Sequence, residues 1–274
     1  MRTENKPTLD SQPLRSVSVI RYSSGVPVTG TDPVIEELPV AIVYNGIPHV
    51  VMMASPVDLA DFLLGFSLTE ELIASPSDLH DLAIDYFGSG VEINATVSES
   101  CMQKITSRTR RLTGRTGCGI CGVDSIAAVV RPARPVAANT RITVSDITRA
   151  FEGLWQHQKL NKASGAVHAA GWAGLDGRIK LAREDVGRHN ALDKLIGAVV
   201  RAGDDPSQGF VVVTSRASFE MVQKTMVLGA PLLAAISGPT GLAIQLAEES
   251  RLTLIGFARE GRLTIYSHPE RVSG

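Results

Sequence analysis

The residues of this chain best suited to chemistry are two thiols three positions apart, in the segment Gly114-Arg115-Thr116-Gly117-Cys118-Gly119-Ile120-Cys121-Gly122. Glycine weakens helix and strand interiors, so a segment this rich in it reads as a loop. The stretch before it, Lys104 to Arg115, supplies Lys104, Arg108, Arg110, Arg111 and Arg115 with no acidic residue among them. The thiolate is the reactive form of cysteine, and neighbouring cations lower the thiol pKa. A thiolate so placed can accept a sulfane sulfur as a persulfide. The second thiol can then release that sulfur by attack on the sulfur–sulfur bond. This reading accounts for the pair, the glycines and the positive charge together.

Other readings of the same loop fit less well. Gly117, Gly119 and Gly122 spell GxGxxG. A dinucleotide fingerprint, however, follows a buried strand, opens a helix and has an acid about twenty positions on. Here a basic polar stretch precedes it, and Arg141 stands near the acid's place. A structural zinc site wants four ligands, usually as two close pairs. Only one pair exists, and Cys101 and the six scattered histidines lack ligand-like spacing. A thioredoxin-like motif sits between a strand and a helix near the start of a domain, which is a different context.

Two further clusters stand out. Arg183-Glu184-Asp185-Val186-Gly187-Arg188-His189-Asn190-Ala191-Leu192-Asp193-Lys194 is dense in charge at an expected strand-to-helix junction. Such junctions in α/β sheets carry binding sites, but a solvated helix start would look the same. Phe257-Ala258-Arg259-Glu260-Gly261-Arg262 lies between two expected strands. It reads as a turn whose arginines suit a phosphate or a base, or as a bare hairpin turn. His168-Ala169-Ala170 invites comparison with zinc deaminases, but those place a Glu two residues after the His and a Pro-Cys-x-x-Cys beyond it. Ala170 holds the Glu position, and the one CxxC comes before the His, so deaminase chemistry is not expected.

The elements that must position these groups follow from pattern. At 274 residues the chain can hold one large domain or two modest ones. Residues 1–15 read as a disordered tail. Residues 16–114 read as a small α+β domain, with strands at Val17–Ile20 and Val34–Val43 and a turn at Asn45-Gly46. Ser55 is expected to cap a helix beginning at Pro56, with Leu59, Phe62, Leu63 and Phe66 on its apolar face. Strands Ile84–Tyr86 and Val91–Val97 follow. Residues 115–274 read as an α/β domain opening on the CxxC loop. A helix capped by Ser145-Asp146 runs through Ile147, Phe151, Leu154 and Trp155. A hairpin turns at Asp176-Gly177, and helices are expected at 186–200, 220–228 and 240–249. Phe210–Thr214 is a continuous apolar run, the mark of a strand buried on both faces. Strands at 231–236, 252–257 and 263–266 complete a partly parallel sheet with helices on both faces.

Net charge is −1, which gives no global case for nucleic acid or an acidic membrane. No apolar run is long enough for a secretory signal or a membrane span, so a cytoplasmic protein is expected.

The three motifs Gly117–Gly122, Arg183–Lys194 and Gly256–Arg259 resemble the FdhD/NarQ family of formate dehydrogenase accessory sulfurtransferases, a likeness that runs from about residue 16 to the C-terminus. The resemblance implies a sulfurtransferase. A cysteine desulfurase would load sulfur onto the CxxC loop as a persulfide on Cys118, with Cys121 as its partner. The acceptor would be the bis-molybdopterin guanine dinucleotide form of the molybdenum cofactor, a substrate destined for formate dehydrogenase and not a permanent cofactor. Cofactor binding would map to Phe257, Ala258, Arg259, Glu260, Gly261 and Arg262. The resemblance further implies a three-layer, cytidine-deaminase-like C-terminal domain with a mixed sheet, and a homodimer. A cofactor chaperone without sulfur chemistry and a zinc-site protein are the alternatives.

Overall fold

The computed structural model describes residues 12–88, 90–112, 133–136 and 140–274, with only the backbone of 108–112. The tail at 1–11 and the expected domain boundary at 114/115 lie outside the described residues.

The chain opens with a two-stranded antiparallel ribbon, β1 (Leu14–Ser23) and β2 (Val26–Ile35). β1 begins inside the stretch read as tail. A four-stranded sheet follows, built from β3 (Leu38–Tyr44), β4 (Ile47–Ala54), β5 (Leu79–Phe87) and β6 (Gly90–Val97) in the order β4-β3-β6-β5. The expected single strand over Val34–Val43 is instead the end of β2 and the body of β3, broken at Glu36-Glu37. Asn45 and Gly46, with φ of 48° and 77°, make the two-residue turn from β3 to β4. Val40, Ile42, Val91 and Ile93 point to one face of this sheet. There they pack on α1 (Leu59–Thr69) and α2 (Glu99–Leu112) through Phe62, Leu63, Phe66 and Ile105. The part of the basic run from Lys104 to Arg111 therefore belongs to a helix, α2, whose early turns bury Cys101 and Ile105.

The second sheet has six strands in the order β13-β12-β11-β10-β8-β9. These are β8 (His168–Gly174), β9 (Ile179–Asp185), β10 (Gly209–Val213), β11 (Leu232–Ala235), β12 (Thr253–Arg259) and β13 (Arg262–Ser267). β10, β11 and β12 are mutually parallel and the outer pairs antiparallel, so the sheet is mixed. Strand alternation sends Val211, Val213, Leu233, Ala235 and Leu254 to one face, against α5 (Arg188–Ala202), α6 (Phe219–Leu228) and α7 (Gly241–Glu249). Phe210, Val212, Leu232, Ala234 and Ile255 point to the other face, against α3 (Val144–His157). The result is the expected three-layer unit. A short α4 (Lys159–Ser164) follows α3, and β14 (Val272–Ser273) pairs with β7 (Ile142–Thr143) beside it.

Two local expectations give way to better-satisfied alternatives. The cap of α3 is Thr143 rather than Ser145. The Thr143 hydroxyl accepts from the Asp146 N–H (3.1 Å), and the Asp146 carboxylate accepts from the Thr143 N–H (3.2 Å). The Thr143 hydroxyl also donates to Asp146 Oδ2 (2.6 Å), and this bond first, with that from the Thr143 N–H, holds the Asp146 carboxyl below the usual carboxylate range. Trp155 lies on the outer side of α3, 55% exposed, under the Lys162 ammonium.

The other correction joins the two sheets. Ser55 caps nothing: α1 begins at Leu59, and Asp58 occupies the cap position without a side-chain cap bond. Ser55 is instead fully buried against the β9–α5 corner. Its N–H donates to Asp185 Oδ2 (3.0 Å), its hydroxyl accepts from the Val186 N–H (3.2 Å), and its carbonyl accepts from Lys194 Nζ (3.0 Å). Lys194 Nζ lies 2.6 Å from Asp185 Oδ2, both side chains fully buried. A second buried pair, Lys224 and Asp193 at 2.8 Å, takes in the Thr69 hydroxyl of α1. Between these pairs α1 and α5 cross at bare backbone. A Cβ on Gly197 would sit 2.0 Å from the Asp61 carbonyl oxygen, and one on Gly65 1.8 Å from that of Asp193.

Gly197→Ala should therefore push the helices apart and lower stability by about 3 kcal/mol, read by thermal or urea unfolding. Lys194→Met strands a buried carboxylate and should cost about 3–5 kcal/mol. The double variant Asp185→Asn/Lys194→Met should recover part of that loss; equal or greater loss in the double variant would refute the pairing argument.

Candidate functional site

The motif Arg183–Lys194 spans the end of β9, the corner and the start of α5, and most of its side chains hold the fold. Arg183 Nε donates to Asp61 Oδ2 (2.8 Å). The Glu184 carboxylate accepts from the Leu160 and Asn161 N–H groups (2.9 and 2.8 Å), satisfying the open N-terminus of α4. Asn190 Nδ2 donates to the Met53 carbonyl and to Asp185 Oδ1 (2.8 and 3.1 Å). Arg188 and His189 face the neighbouring corners instead. His189 Nε2 lies 2.8 Å from Glu220 Oε2 at the start of α6, and this bond holds the Glu220 carboxyl below its ordinary value. His168, half-buried at the start of β8, is pushed down chiefly by burial and then by the positive charge of Arg188.

All of these corners lie at one edge of the six-stranded sheet. His168 pairs with Asp185, and Ala170 with Val213, so the start of β8 adjoins the carboxyl ends of β9 and β10. The carboxyl ends of β11 and β12 share that edge because β10, β11 and β12 are parallel. In open α/β sheets this is the edge where ligands bind.

Phe257–Arg262 forms the end of β12, a two-residue turn and the start of β13. The register shifts between Gly256 and Arg259, a bulge that turns Phe257 and Ala258 out of the regular ladder. Ala258 enters the core against α3, while Phe257 is 54% exposed with φ of 53°. The Phe257 ring rests on Gly238, in the β11–α7 loop, where a Cβ would come within 2.7 Å of the ring. Arg259 and Arg262 are cross-strand partners flanking Glu260-Gly261, and both are exposed. Arg262 meets Glu260 at 3.2 Å in an exposed pair that contributes little energy.

This hairpin end separates two clefts. The larger, about 510 Å³, is lined by Ile236, Ser237, Phe257, Arg259, Arg262, Leu263 and Thr264. The smaller, about 230 Å³, lies between the same turn and α3. Four of the six residues expected to bind cofactor, Phe257, Arg259, Glu260 and Arg262, thus place exposed side chains around two adjoining clefts. Ala258 faces the interior, and Gly261 shapes the turn. Sequence reasoning missed Ser237 and Gly238. Their signal was the short Ser-Gly-Pro link between a buried strand and a Thr-capped helix. Cys118 and Cys121 lie outside the described residues, as does Arg115. Cys101, one suggested completion of a zinc set, is buried in the apolar core of the four-stranded sheet. Among the described residues no helix is long and apolar enough to cross a membrane.

Comparison with known proteins shows the family and the fold of the chain. The chain is 50% identical over 266 residues to a sulfur carrier protein FdhD of Xanthomonas campestris pv. campestris, covering 96% of this chain and 95% of the relative. It is 47% identical over 260 residues to the protein of that name from Bordetella bronchiseptica, covering 94% of each. A crystal structure described as a formate dehydrogenase accessory protein from Desulfotalea psychrophila shares the fold, with a TM-score of 0.76 and 23% identity. That match covers 96% of this chain and 100% of the other. The family model for FdhD/NarQ matches residues 35–273, and the chain belongs to the FdhD/NarQ family.

Proposed function

We propose that this chain is a sulfur carrier accessory to formate dehydrogenase, which takes sulfur from a cysteine desulfurase as a persulfide and delivers it to the bis-molybdopterin guanine dinucleotide cofactor. The observation that carries this reading is the thiol pair Cys118 and Cys121 in a chain about half identical to proteins named sulfur carriers. The Cys118 thiolate attacks the outer sulfur of the desulfurase persulfide. A new sulfur–sulfur bond forms on Cys118, and the desulfurase cysteine leaves as a thiolate. Transfer follows when the Cys121 thiolate attacks Cys118 Sγ. The bond to the carried sulfur breaks, and hydrosulfide leaves to become a ligand of the substrate's molybdenum. The resulting Cys118–Cys121 disulfide then takes two electrons from a dithiol reductant, which restores both thiols.

The clefts support the second half of this reading. A pyrophosphate matches the fork geometry of Arg259 and Arg262, and the exposed face of Phe257 suits a flat heterocycle. The substrate is polyanionic, and the cations from Lys104 to Arg115, with no acidic residue among them, precede the thiols in sequence.

Intact mass spectrometry under non-reducing conditions, after incubation with a cysteine desulfurase and cysteine, should show a thiol-sensitive gain of one sulfur. The gain should vanish in Cys118→Ala and persist in Cys121→Ala. Formate dehydrogenase activation should fail in both. A chaperone without sulfur chemistry would show no gain and would activate the dehydrogenase without either cysteine. Charge removal at Arg110 and Arg111 should weaken activation, and the deficit should narrow as salt screens the wild type too; unchanged activity at low salt would exclude steering by this run.

A further inference from the structure

The ribbon β1–β2 stands outside both larger sheets and lines neither cleft. It rests on α4 through β2, but from Ile20 to Thr29 every residue is exposed. Ile20 and Tyr22 lie on one face, 65% and 74% exposed, and Val26 and Val28 on the other. An isolated two-stranded ribbon is marginal in water and gains stability from further strands.

The two edges of the ribbon are built differently. Ser24 and Gly25, with φ of 51° and 83°, make a two-residue turn closed by Ser23 and Val26. Ladder bonds therefore join Ser23 with Val26 and every second pair after them, and the Glu36 N–H on the Pro13 carbonyl (2.7 Å) ends the same series. The even-numbered residues of β1 and the odd-numbered residues of β2 thus turn their backbone groups outward. On β2 that edge is closed. Pro27 and Pro33 remove outward donors. Arg21 crosses over Gly30, where a Cβ would strike its guanidinium, and donates to the outward Thr31 carbonyl (2.9 Å). Proline and charge are common means of protecting a sheet edge from further pairing. On β1 the edge is open. Ser16, Ser18, Ile20 and Tyr22 keep both backbone groups, and among the described residues no other backbone bonds them. Both arginines of β1 are neutralised within the ribbon, Arg15 by Glu36 (2.8 Å) and Arg21 by Asp32. The open edge therefore suits a strand that is itself neutral and apolar at alternate positions, as β1 is.

We infer that β1 is the strand through which two copies of this chain join, antiparallel across a two-fold axis at Val19, into one four-stranded sheet. In that register Ser18 faces Ile20 of the second copy and Ser16 faces its Tyr22, each pair exchanging both backbone bonds. Val19 meets its own copy on one face, and the two Ile20 side chains become diagonal neighbours on the other. Arg21 lies opposite Val17 and Arg15 opposite Ser23, so no like charges meet. An axis at Ser18 would instead set Arg15 against Arg21. The assignment is independent of the sulfur chemistry proposed above.

Sedimentation velocity of the full chain over a concentration series tests it, with Ser18→Pro and Thr29→Pro beside the wild type. Each proline takes a position whose N–H points away from the β1–β2 ladder, but only Ser18→Pro blocks the open edge. The wild type should sediment as a dimer and Thr29→Pro should match it. Ser18→Pro should raise the dissociation constant about tenfold or more. Should Ser18→Pro fail to fold, cross-linking decides. With Cys118 and Cys121 replaced by serine, Val19→Cys should give a disulfide-linked dimer under mild oxidation, because a non-hydrogen-bonded pair on the axis lies within disulfide reach. Val28→Cys, more exposed on the same face but one strand farther from the axis, should not. A monomeric wild type, a dimer that folded Ser18→Pro leaves intact, or a Val19→Cys that cross-links no better than Val28→Cys would overturn the assignment.

Discussion

The structure depends on two buried lysine–aspartate pairs beside the crossing of α1 and α5, Asp185 with Lys194 and Asp193 with Lys224. Moving an ion from water into a protein interior costs several kcal/mol, and a single close partner seldom offsets that. Here the cost is spread over a full set of bonds. Asp185 accepts from Lys194, the Ser55 and Gly187 N–H groups and the Asn190 amide. Lys194 donates to Asp185 and to the Ser55 carbonyl. Burial still pushes Lys194 down and Asp193 up, so desolvation outweighs the partners' attraction at both. Such pairs contribute little net stability compared with apolar substitutes. What they supply is register. Directional bonds tie Ser55 to a corner 130 residues away, and the glycine crossing leaves α1 and α5 one way to meet.

That register is set on the same sheet edge as the candidate site, with β8, β10 and β11 between the two. The β9–α5 corner locked by Asp185 lies at the same sheet edge as the end of β12. The second clamp extends along the edge, because Lys224 sits on α6, whose first turn carries Glu220 and through it His189. Both clamps act along the sheet edge from which the β12–β13 hairpin presents Arg259 and Arg262. Rigidity matters because a bidentate contact loses most of its advantage when its two donors move independently. The bulge at Phe257 serves the same end, since it anchors Ala258 in the core and so fixes the ring that projects from the residue before it.

Elements governed by local pattern were legible. The β3–β4 hairpin, the buried strand β10 and the apolar stripe of α5 were all readable from turn chemistry and periodicity. β2 was not, because Pro27, Gly30 and Pro33 interrupt it and its partner β1 shields neither face. Ser55 looked like a cap because Ser-Pro-Val-Asp is a good helix start, but buried groups 130 residues away needed its donor and acceptor more. The charged motif at Arg183–Lys194 was visible as important and opaque as to why: a salt bridge that joins two sheets has the same composition as a solvated helix start. The turn at Phe257–Arg262 was legible as a turn, whereas its two clefts arise from α3 and the β11–α7 loop, which only the fold brings there.

The distribution of charge follows from the chemistry proposed for the site. With a net charge of −1 the chain offers a polyanionic substrate no attraction at a distance. Fields are screened within about 8–10 Å at physiological salt, so even a strongly charged surface far from the thiols would contribute little. Cations are useful only where the phosphates rest or where the sulfur is handed over. The basic residues fit that requirement: one group runs up to the thiols in sequence, and another pair flanks the β12–β13 turn. Elsewhere among the described residues several arginines and lysines are spent on carboxylates, as Arg183 and Arg201 are on Asp61 and Lys224 on Asp193. Under the proposed function the protein must release its substrate after one sulfur transfer, and it would gain from this arrangement, since a globally cationic surface would hold the cofactor after the reaction as firmly as before it.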